Sequence, residues 1–157
     1  MAEVRNDETI QTWRLFLRAH STLIETLDRE LQASKGLPLT WFDVLVRLAS
    51  EQDGRLAMHE LADRVLLSKS GVTRLVDRME RAGLIERTAC PTDRRVTYAT
   101  LTEQGKKAFD DAAPIAYRGV EEHFSAVLTR SEMETIRSAL AKICDAHGTE
   151  LPHRAAG

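Results

Sequence analysis

Basic side chains are concentrated between residues 64 and 95 of this 157-residue chain. The segment holds eight Lys and Arg residues against four Asp and Glu residues, whereas the whole chain has a formal net charge of −2. Arg offers a planar fork of donors that matches a phosphate group or the edge of a guanine base. The segment therefore predicts an anion-binding surface on a body that is otherwise acidic.

Apolar residues within this segment recur at helical spacing and predict a helix over residues 68–82 that buries one face. The stripe consists of Val72, Leu75, Val76 and Met79. Gly83 follows in the position where glycine favours a helix end. The small polar and basic residues fall away from the stripe, so we expect the helix to present them from its first turns.

After this helix the apolar period changes from about 3.6 residues to 2, which predicts a hairpin. Residues 84–88 and 96–101 are its expected strands, and residues 89–95 form its tip. Arg94 and Arg95 in the tip suit the negative potential of a narrow minor groove, with Asp93 placed to orient one of them. The alternative is a solvated turn with an incidental ion pair.

A short helix over residues 58–65, the helix at 68–82 and the hairpin give the outline of a winged helix-turn-helix, whose second helix enters the major groove of DNA. Arg74 is the best candidate for a bidentate contact to guanine. The candidate DNA contacts are small polar or charged residues of the second helix and the hairpin tip. They are Ser68, Lys69, Ser70, Thr73, Arg74, Arg78, Asp93, Arg94 and Arg95. For each one the alternative is a helix cap or a solvated side chain.

Amphipathic helices flank this lobe. One is predicted over residues 7–33, and a second, from Trp41, has a capping box at Thr40 and Asp43. A third begins after Thr102 and continues through Val127, with a kink at Pro114. The last follows a capping box at Thr129 and Glu132.

The predicted fold is mainly α with a small β-hairpin wing. Residues 38–101 form the winged lobe, residues 1–35 and 103–148 form a helical dimerisation region, and residues 149–157 are a disordered tail. Two long apolar stripes at the chain ends would stay exposed in a monomer, so we expect a homodimer.

Several classes of protein are disfavoured. No glycine-rich phosphate loop, nucleophile elbow or HExxH motif is present, so we expect no enzyme and no cofactor. Cys90 and Cys144 are far apart, and the run from Glu121 to His123 lacks metal-ligand spacing, so no metal site is expected. The chain has no membrane-length apolar run and no export signal, which predicts a cytoplasmic protein.

The stretch from Leu61 to Gly105 resembles the signature of the MarR (multiple antibiotic resistance regulator) family of bacterial repressors and activators. Its most specific parts are SGVTRLVDRMERAGLIER, the wing DRR and LTEQG. The resemblance implies a homodimer built from the first, fifth and sixth helices that binds pseudo-palindromic promoter DNA, with repression as the preferred role. Ala57 departs from the pattern, because such proteins often have a Ser or Thr cap there.

The resemblance also implies release from DNA by a small aromatic or phenolic effector in a cleft between the dimerisation helices and the winged lobe. The candidate lining residues are aromatic or cationic. They are Trp13, Phe16, His20, Trp41 and Arg47. For each of them burial in the core or simple solvation is the stronger alternative.

Cys90 lies beside the basic tip and is a candidate oxidation sensor, because Arg94 and Arg95 would favour its thiolate. The alternative is that Cys90 only packs in the hairpin.

The rival to a duplex reader is a winged-helix module used only for dimerisation or protein interaction. Such a module need not concentrate arginines on its second helix and wing. Single-strand binding is disfavoured, because residues 64–95 hold no stacking aromatic and Tyr98, just beyond them, is the only one close by in the sequence.

Overall fold

A computed structural model describes residues 7–65, 69–90, 92–93 and 95–148, with the backbone alone for residues 69 and 70. Within these residues the fold is mainly helical with one small antiparallel sheet, as predicted. The elements are α1 Glu8–Lys35, α2 Leu39–Ala49, β1 Arg55–Ala57, α3 Met58–Arg64, α4 Lys69–Arg81, β2 Ile85–Ala89, β3 Thr97–Leu101, α5 Glu103–Val120, a π-helical segment Glu121–Ser125, and α6 Arg130–Ala146. The chain divides into two compact units at Ala116 and Tyr117.

The core of the first unit closes around α4. The predicted stripe of Val72, Leu75, Val76 and Met79 is at most 1% exposed. It belongs to one apolar cluster with residues of α2 and α3, including Leu45 and Leu61. Burying each of these side chains contributes about 1.5–3 kcal/mol. One face of α4 is therefore fixed in the core, and its polar face is turned outward.

The sheet has the strand order β1-β3-β2, and both neighbouring pairs are antiparallel. Leu56 of β1 pairs with Ala99 of β3, and on the other side Thr88 of β2 pairs with Tyr98. The predicted hairpin is confirmed, and β1 adds a third strand on the outer side of β3. β2 ends at Ala89 and β3 begins at Thr97, so these two strands lead to the wing tip.

The junction between α4 and α5 is held by hydrogen bonds that satisfy the end of one helix and the start of the next. Gly83 has a φ of 74° and ends α4 as predicted. The Thr102 hydroxyl donates to the Gly83 carbonyl at 2.7 Å and accepts from the Gly105 amide at 3.0 Å. Thr102 therefore caps α5, the helix that was predicted to begin after it, and joins α4 to α5.

Two caps differ from the expected ones. The predicted capping box at Thr40 and Asp43 is wrong, because α2 already begins at Leu39. The Leu39 amide donates instead to Asp28 Oδ1 of α1 at 2.7 Å. At Ala57, which has no capping hydroxyl, the Glu60 side chain accepts from the Ala57 amide at 3.1 Å and supplies half of a capping box.

The second unit holds the π-helical segment and α6. The predicted helix through Val127 is interrupted, because the Ala126 amide donates to the Glu121 carbonyl five residues earlier, at 2.8 Å. Apolar periodicity cannot reveal one inserted residue in a helical turn. The capping box at Thr129 and Glu132 is confirmed in both directions. Among the described residues, no helix is both long enough and apolar enough to cross a membrane.

Candidate nucleic-acid interface

The outward face of α4 carries the predicted contacts that the structure describes. Thr73, Arg74 and Arg78 are exposed on the side opposite the buried stripe. Within the described part of the chain, Arg74 and Arg78 have no carboxylate or hydrogen-bond partner. Ser68 lies outside the described residues, as do the side chains of Lys69 and Ser70. The face therefore offers at least two guanidinium groups whose donors are available to an anion.

A second basic group lies at the hairpin tip. Asp93 accepts from the Arg95 amide at 3.0 Å and from Arg95 Nε at 3.3 Å. These bonds, the backbone one first, hold the pKa of Asp93 below its usual value. The Arg95 side chain is 91% exposed, so Asp93 orients it without burying its charge. Arg94 lies outside the described residues.

The α4 face and the hairpin tip meet at a cleft of about 330 Å³. Its lining combines two predicted contacts, Thr73 and Arg95, with residues from α3 and both strands of the hairpin. The lining residues are Met58, His59, Thr73, Arg87, Arg95, Val96 and Thr97. His59, Arg87 and Thr97 were missed by the sequence reasoning. Of these three residues, only His59 had a local signal: it lies in the first turn of α3, where its side chain is exposed.

Arg87 differs from the other arginines of this surface, because it is bound to two acidic residues of α4. Its Nη2 lies 2.6 Å from Asp77 Oδ1, and its Nη1 pairs with Glu80 Oε2. The Arg87 backbone amide also donates to Glu80 Oε1 at 3.1 Å. Partial burial acts to lower the pKa of Arg87, but the bonds to Asp77 and then Glu80 outweigh it and raise that pKa.

The five candidate effector-binding residues are only partly brought together. Trp13 and Phe16 stack with ring centroids 5.8 Å apart, and both are exposed on α1 together with His20. Trp41 is half-buried on α2, and Arg47 pairs with Asp43 at 3.1 Å. None of the five lines the cleft between α4 and the wing or the groove along α6.

The Cys90 thiol has a lowered pKa, of about 7. The first cause is the hydrogen bond with the Thr92 hydroxyl, whose oxygen lies 3.2 Å from Sγ, and the backbone amides of Thr92 and Asp93 follow. Arg95 pairs with Asp93, and its expected influence on the thiol stays a prediction. The expected influence of Arg94 falls outside the described residues.

The helix pair α3 and α4, followed by the β2–β3 hairpin, defines a winged helix-turn-helix protein. The family model described as MarR family matches residues 35–96. The HTH-type transcriptional regulator MhqR of Bacillus subtilis (strain 168) is 30% identical over 137 residues, which cover 87% of this chain and 92% of the relative.

Two solved structures from Streptomyces coelicolor are similar over most of the chain. The MarR family transcriptional regulator AbsC is 30% identical with a TM-score of 0.85, covering 92% of this chain and 97% of that one. Sco3205, solved in complex with DNA, is 29% identical with a TM-score of 0.84, covering 91% and 93%. The chain therefore belongs to the MarR family of transcriptional regulators, which are not enzymes.

Proposed function

We propose that this regulator is a homodimeric, sequence-specific reader of double-stranded DNA that represses transcription from a pseudo-palindromic promoter site. The observation that carries the proposal is the arrangement of α4, which buries one face in the core and exposes Arg74 and Arg78 on the other. Sco3205, a relative with 29% identity, has been solved bound to DNA. A helix anchored in this way can enter a major groove without losing its packing.

In this proposal residues 68–82 occupy the major groove, and the wing at residues 89–95 reaches the minor groove. Arg74 makes the bidentate base contact, which is worth about 1–3 kcal/mol of discrimination. Arg78 and Lys69 neutralise phosphates, and Ser68, Ser70 and Thr73 contact phosphates or base edges. Arg95, oriented by Asp93, enters the minor groove with Arg94 beside it.

The homodimer is supported by apolar side chains that each unit leaves exposed. On α1, Leu17 and Ile24 are each 43% exposed, whereas Leu31 near the end of the same helix is buried. On α6, Leu140 and Ile143 are exposed. A second copy that covers these stripes removes apolar surface from water and places two reading helices about one helical turn of DNA apart, roughly 10 bp. We assign residues 1–35 and 103–148 to this dimerisation region.

Release by a small aromatic or phenolic effector completes the proposal. The stacked Trp13 and Phe16 rings are a suitable apolar wall for such a ligand, and the half-buried Trp41 offers a third ring. His20 and Arg47 are the candidate partners for its acidic group.

With salicylate as the probe, operator binding by the parent should weaken. If the Arg47 charge anchors the ligand, salicylate should weaken operator binding less in an Arg47→Met variant than in a Trp41→Leu variant. If salicylate left the operator affinity of the parent unchanged, the effector would be removed from the proposal.

The test of DNA reading is selection of duplexes from a random-sequence pool, followed by footprinting of the selected site. We expect an inverted repeat whose half-sites are about 10 bp apart, protected by two chains per duplex. Recovery of no preferred sequence, with a dimer of normal size, would instead favour a winged-helix module for protein interaction.

A further inference from the structure

Arg87, Asp77 and Glu80 form an ion-pair cluster, called here the Arg87 triad, that joins α4 to strand β2. Asp77 and Glu80 are three positions apart on α4 and therefore lie on one side of the helix. Arg87 approaches that side from β2 with both terminal nitrogens of its guanidinium and with its backbone amide. We infer that the triad sets the rotation of the recognition helix relative to the wing, and so determines which bases the helix reads.

The geometry supports a positioning role because one residue holds α4 at several points. The buried stripe already limits the rotation of α4. A fork shared between two carboxylates, together with a backbone amide, restricts the small rotation and sliding that this packing still allows. Arg74 precedes Asp77 by three residues on the same helix. A small rotation of α4 therefore displaces the Arg74 fork from a base edge, where bidentate contacts depend on alignment.

The triad also connects the two proposed groove contacts. Arg87 pairs with Ala99 in the β2–β3 ladder, and that ladder leads to the wing tip that carries Arg95. Because α4 is bonded to the strand that supports the wing, the spacing between Arg74 and Arg95 is determined within one protomer. Arg87 acts here as a positioning residue, since each of its terminal nitrogens binds a carboxylate of α4.

The charges of the triad allow a sharp test. Glu80 is an acidic residue on a surface that is proposed to bind phosphates, so simple electrostatics predicts tighter binding to every duplex when its charge is removed. A positioning role predicts that the preference for the operator falls. The inference rests on the proposed function, since it needs a sequence preference to measure.

The matched pair of variants is Glu80→Gln and Glu51→Gln. Glu51 pairs with Arg64 in the same unit, and the side chains of Glu80 and Glu51 are 38% and 35% exposed. Each variant removes one negative charge and weakens one Arg–Glu pair. The measured quantity is the affinity for a duplex selected by the parent protein, divided by the affinity for a scrambled duplex, at one salt concentration and well below the unfolding temperature.

We expect Glu80→Gln to lower this ratio about tenfold, within the range that loss of one bidentate base contact gives, and Glu51→Gln to leave it unchanged. Affinity for the scrambled duplex should be equal to or greater than that of the parent in both variants. Asp77→Asn, which keeps both Glu80 bonds, should give a smaller fall in the same direction. It also keeps the test valid if Glu80→Gln folds poorly.

Three results would overturn the inference. A ratio within twofold of the parent in folded Glu80→Gln and Asp77→Asn proteins would show that the triad has only a structural role. An Arg87→Met variant that loses affinity equally for both duplexes, with the salt slope reduced by about one, would show that Arg87 contacts a phosphate directly. A parent protein without any sequence preference would overturn the proposed function and this inference together, whereas the first two results leave the proposed function intact.

Discussion

The winged lobe and the terminal helices differ in how they bury their apolar residues. In the lobe, Leu75 and Met79 of α4 are at most 1% exposed. On the terminal helices, Ile24 of α1 is 43% exposed and Ile143 of α6 is 58% exposed. The lobe completes its core within one chain, whereas the terminal helices leave apolar surface that a single chain does not cover. Folding of the lobe and assembly of the protein should therefore respond to different substitutions.

The largest expected effect concerns assembly. Replacing both Leu17 and Ile24 by Glu places charges where the proposed second copy covers the helix, and an uncompensated buried charge costs several kcal/mol. We expect the dimer to weaken by at least about 1000-fold, roughly 4 kcal/mol, while the helical content and the melting of the lobe persist. Sedimentation velocity over a concentration series measures the change.

The control for this pair is Leu15→Glu. Leu15 is 71% exposed on the same helix but lies away from the stripe, so its replacement should leave the dimer unchanged. Equal dissociation by Leu15→Glu, or an intact dimer in the double variant, would contradict the interface proposed for α1.

The next effect concerns folding of the lobe at the α4–α5 junction. A Cβ added to Gly105 would lie 1.9 Å from the Leu84 carbonyl oxygen. Because the backbone at Leu84 must move to admit it, we expect Gly105→Ala to lower the free energy of unfolding by about 3 kcal/mol. Urea denaturation followed by circular dichroism measures this loss.

Gly36→Ala is the matched control for that substitution. Gly36 has a φ of 64° with no atom within 4 Å of an added Cβ, so its replacement meets only the strain of the left-handed conformation, about 1 kcal/mol. Equal losses of stability in the two variants would contradict the explanation that glycine is required at position 105 by the close packing of α5 on the end of α4.

The smallest effect concerns Cys90 at the wing tip. The pKa of Cys90 is about 7, so its thiolate fraction and its rate of alkylation by iodoacetamide should rise as the pH increases through 7. Because the Thr92 hydroxyl is the first cause, Thr92→Val should move the midpoint to higher pH, towards the ordinary value of 9.0. A Cys144→Ser background restricts the reaction to Cys90, and an unmoved midpoint would exclude Thr92 as the cause.

Features determined by neighbouring residues could be predicted from the sequence. The α4 stripe, the Gly83 helix end and the caps at Thr102 and Thr129 depend on spacings of a few residues, and all were expected. The order of helices and strands followed from the same local patterns.

Features that depend on distant residues could not be predicted. The Leu39 amide is capped by Asp28, eleven residues away, and Arg87 binds Asp77 and Glu80 across a change from helix to strand. Such pairs arise only when the elements pack, and residue spacing does not reveal them. The DNA contacts and effector residues chosen from the sequence stay predictions, although the exposed positions of Arg74, Arg78 and Arg95 suit the first role.

The most direct test of the account is a salt-dependent binding titration of the parent and the Arg74→Ala, Arg95→Ala and Arg81→Ala variants against the selected duplex and a scrambled one. Arg74→Ala should weaken binding to the selected duplex by about 1–3 kcal/mol with little change for the scrambled duplex. Arg95→Ala should weaken both and reduce the salt slope by about one. Arg81, exposed in the last turn of α4, serves as the control. If a dimeric Arg74→Ala, Arg95→Ala double variant bound both duplexes as tightly as the parent, α4 and the wing would not be the reading surface.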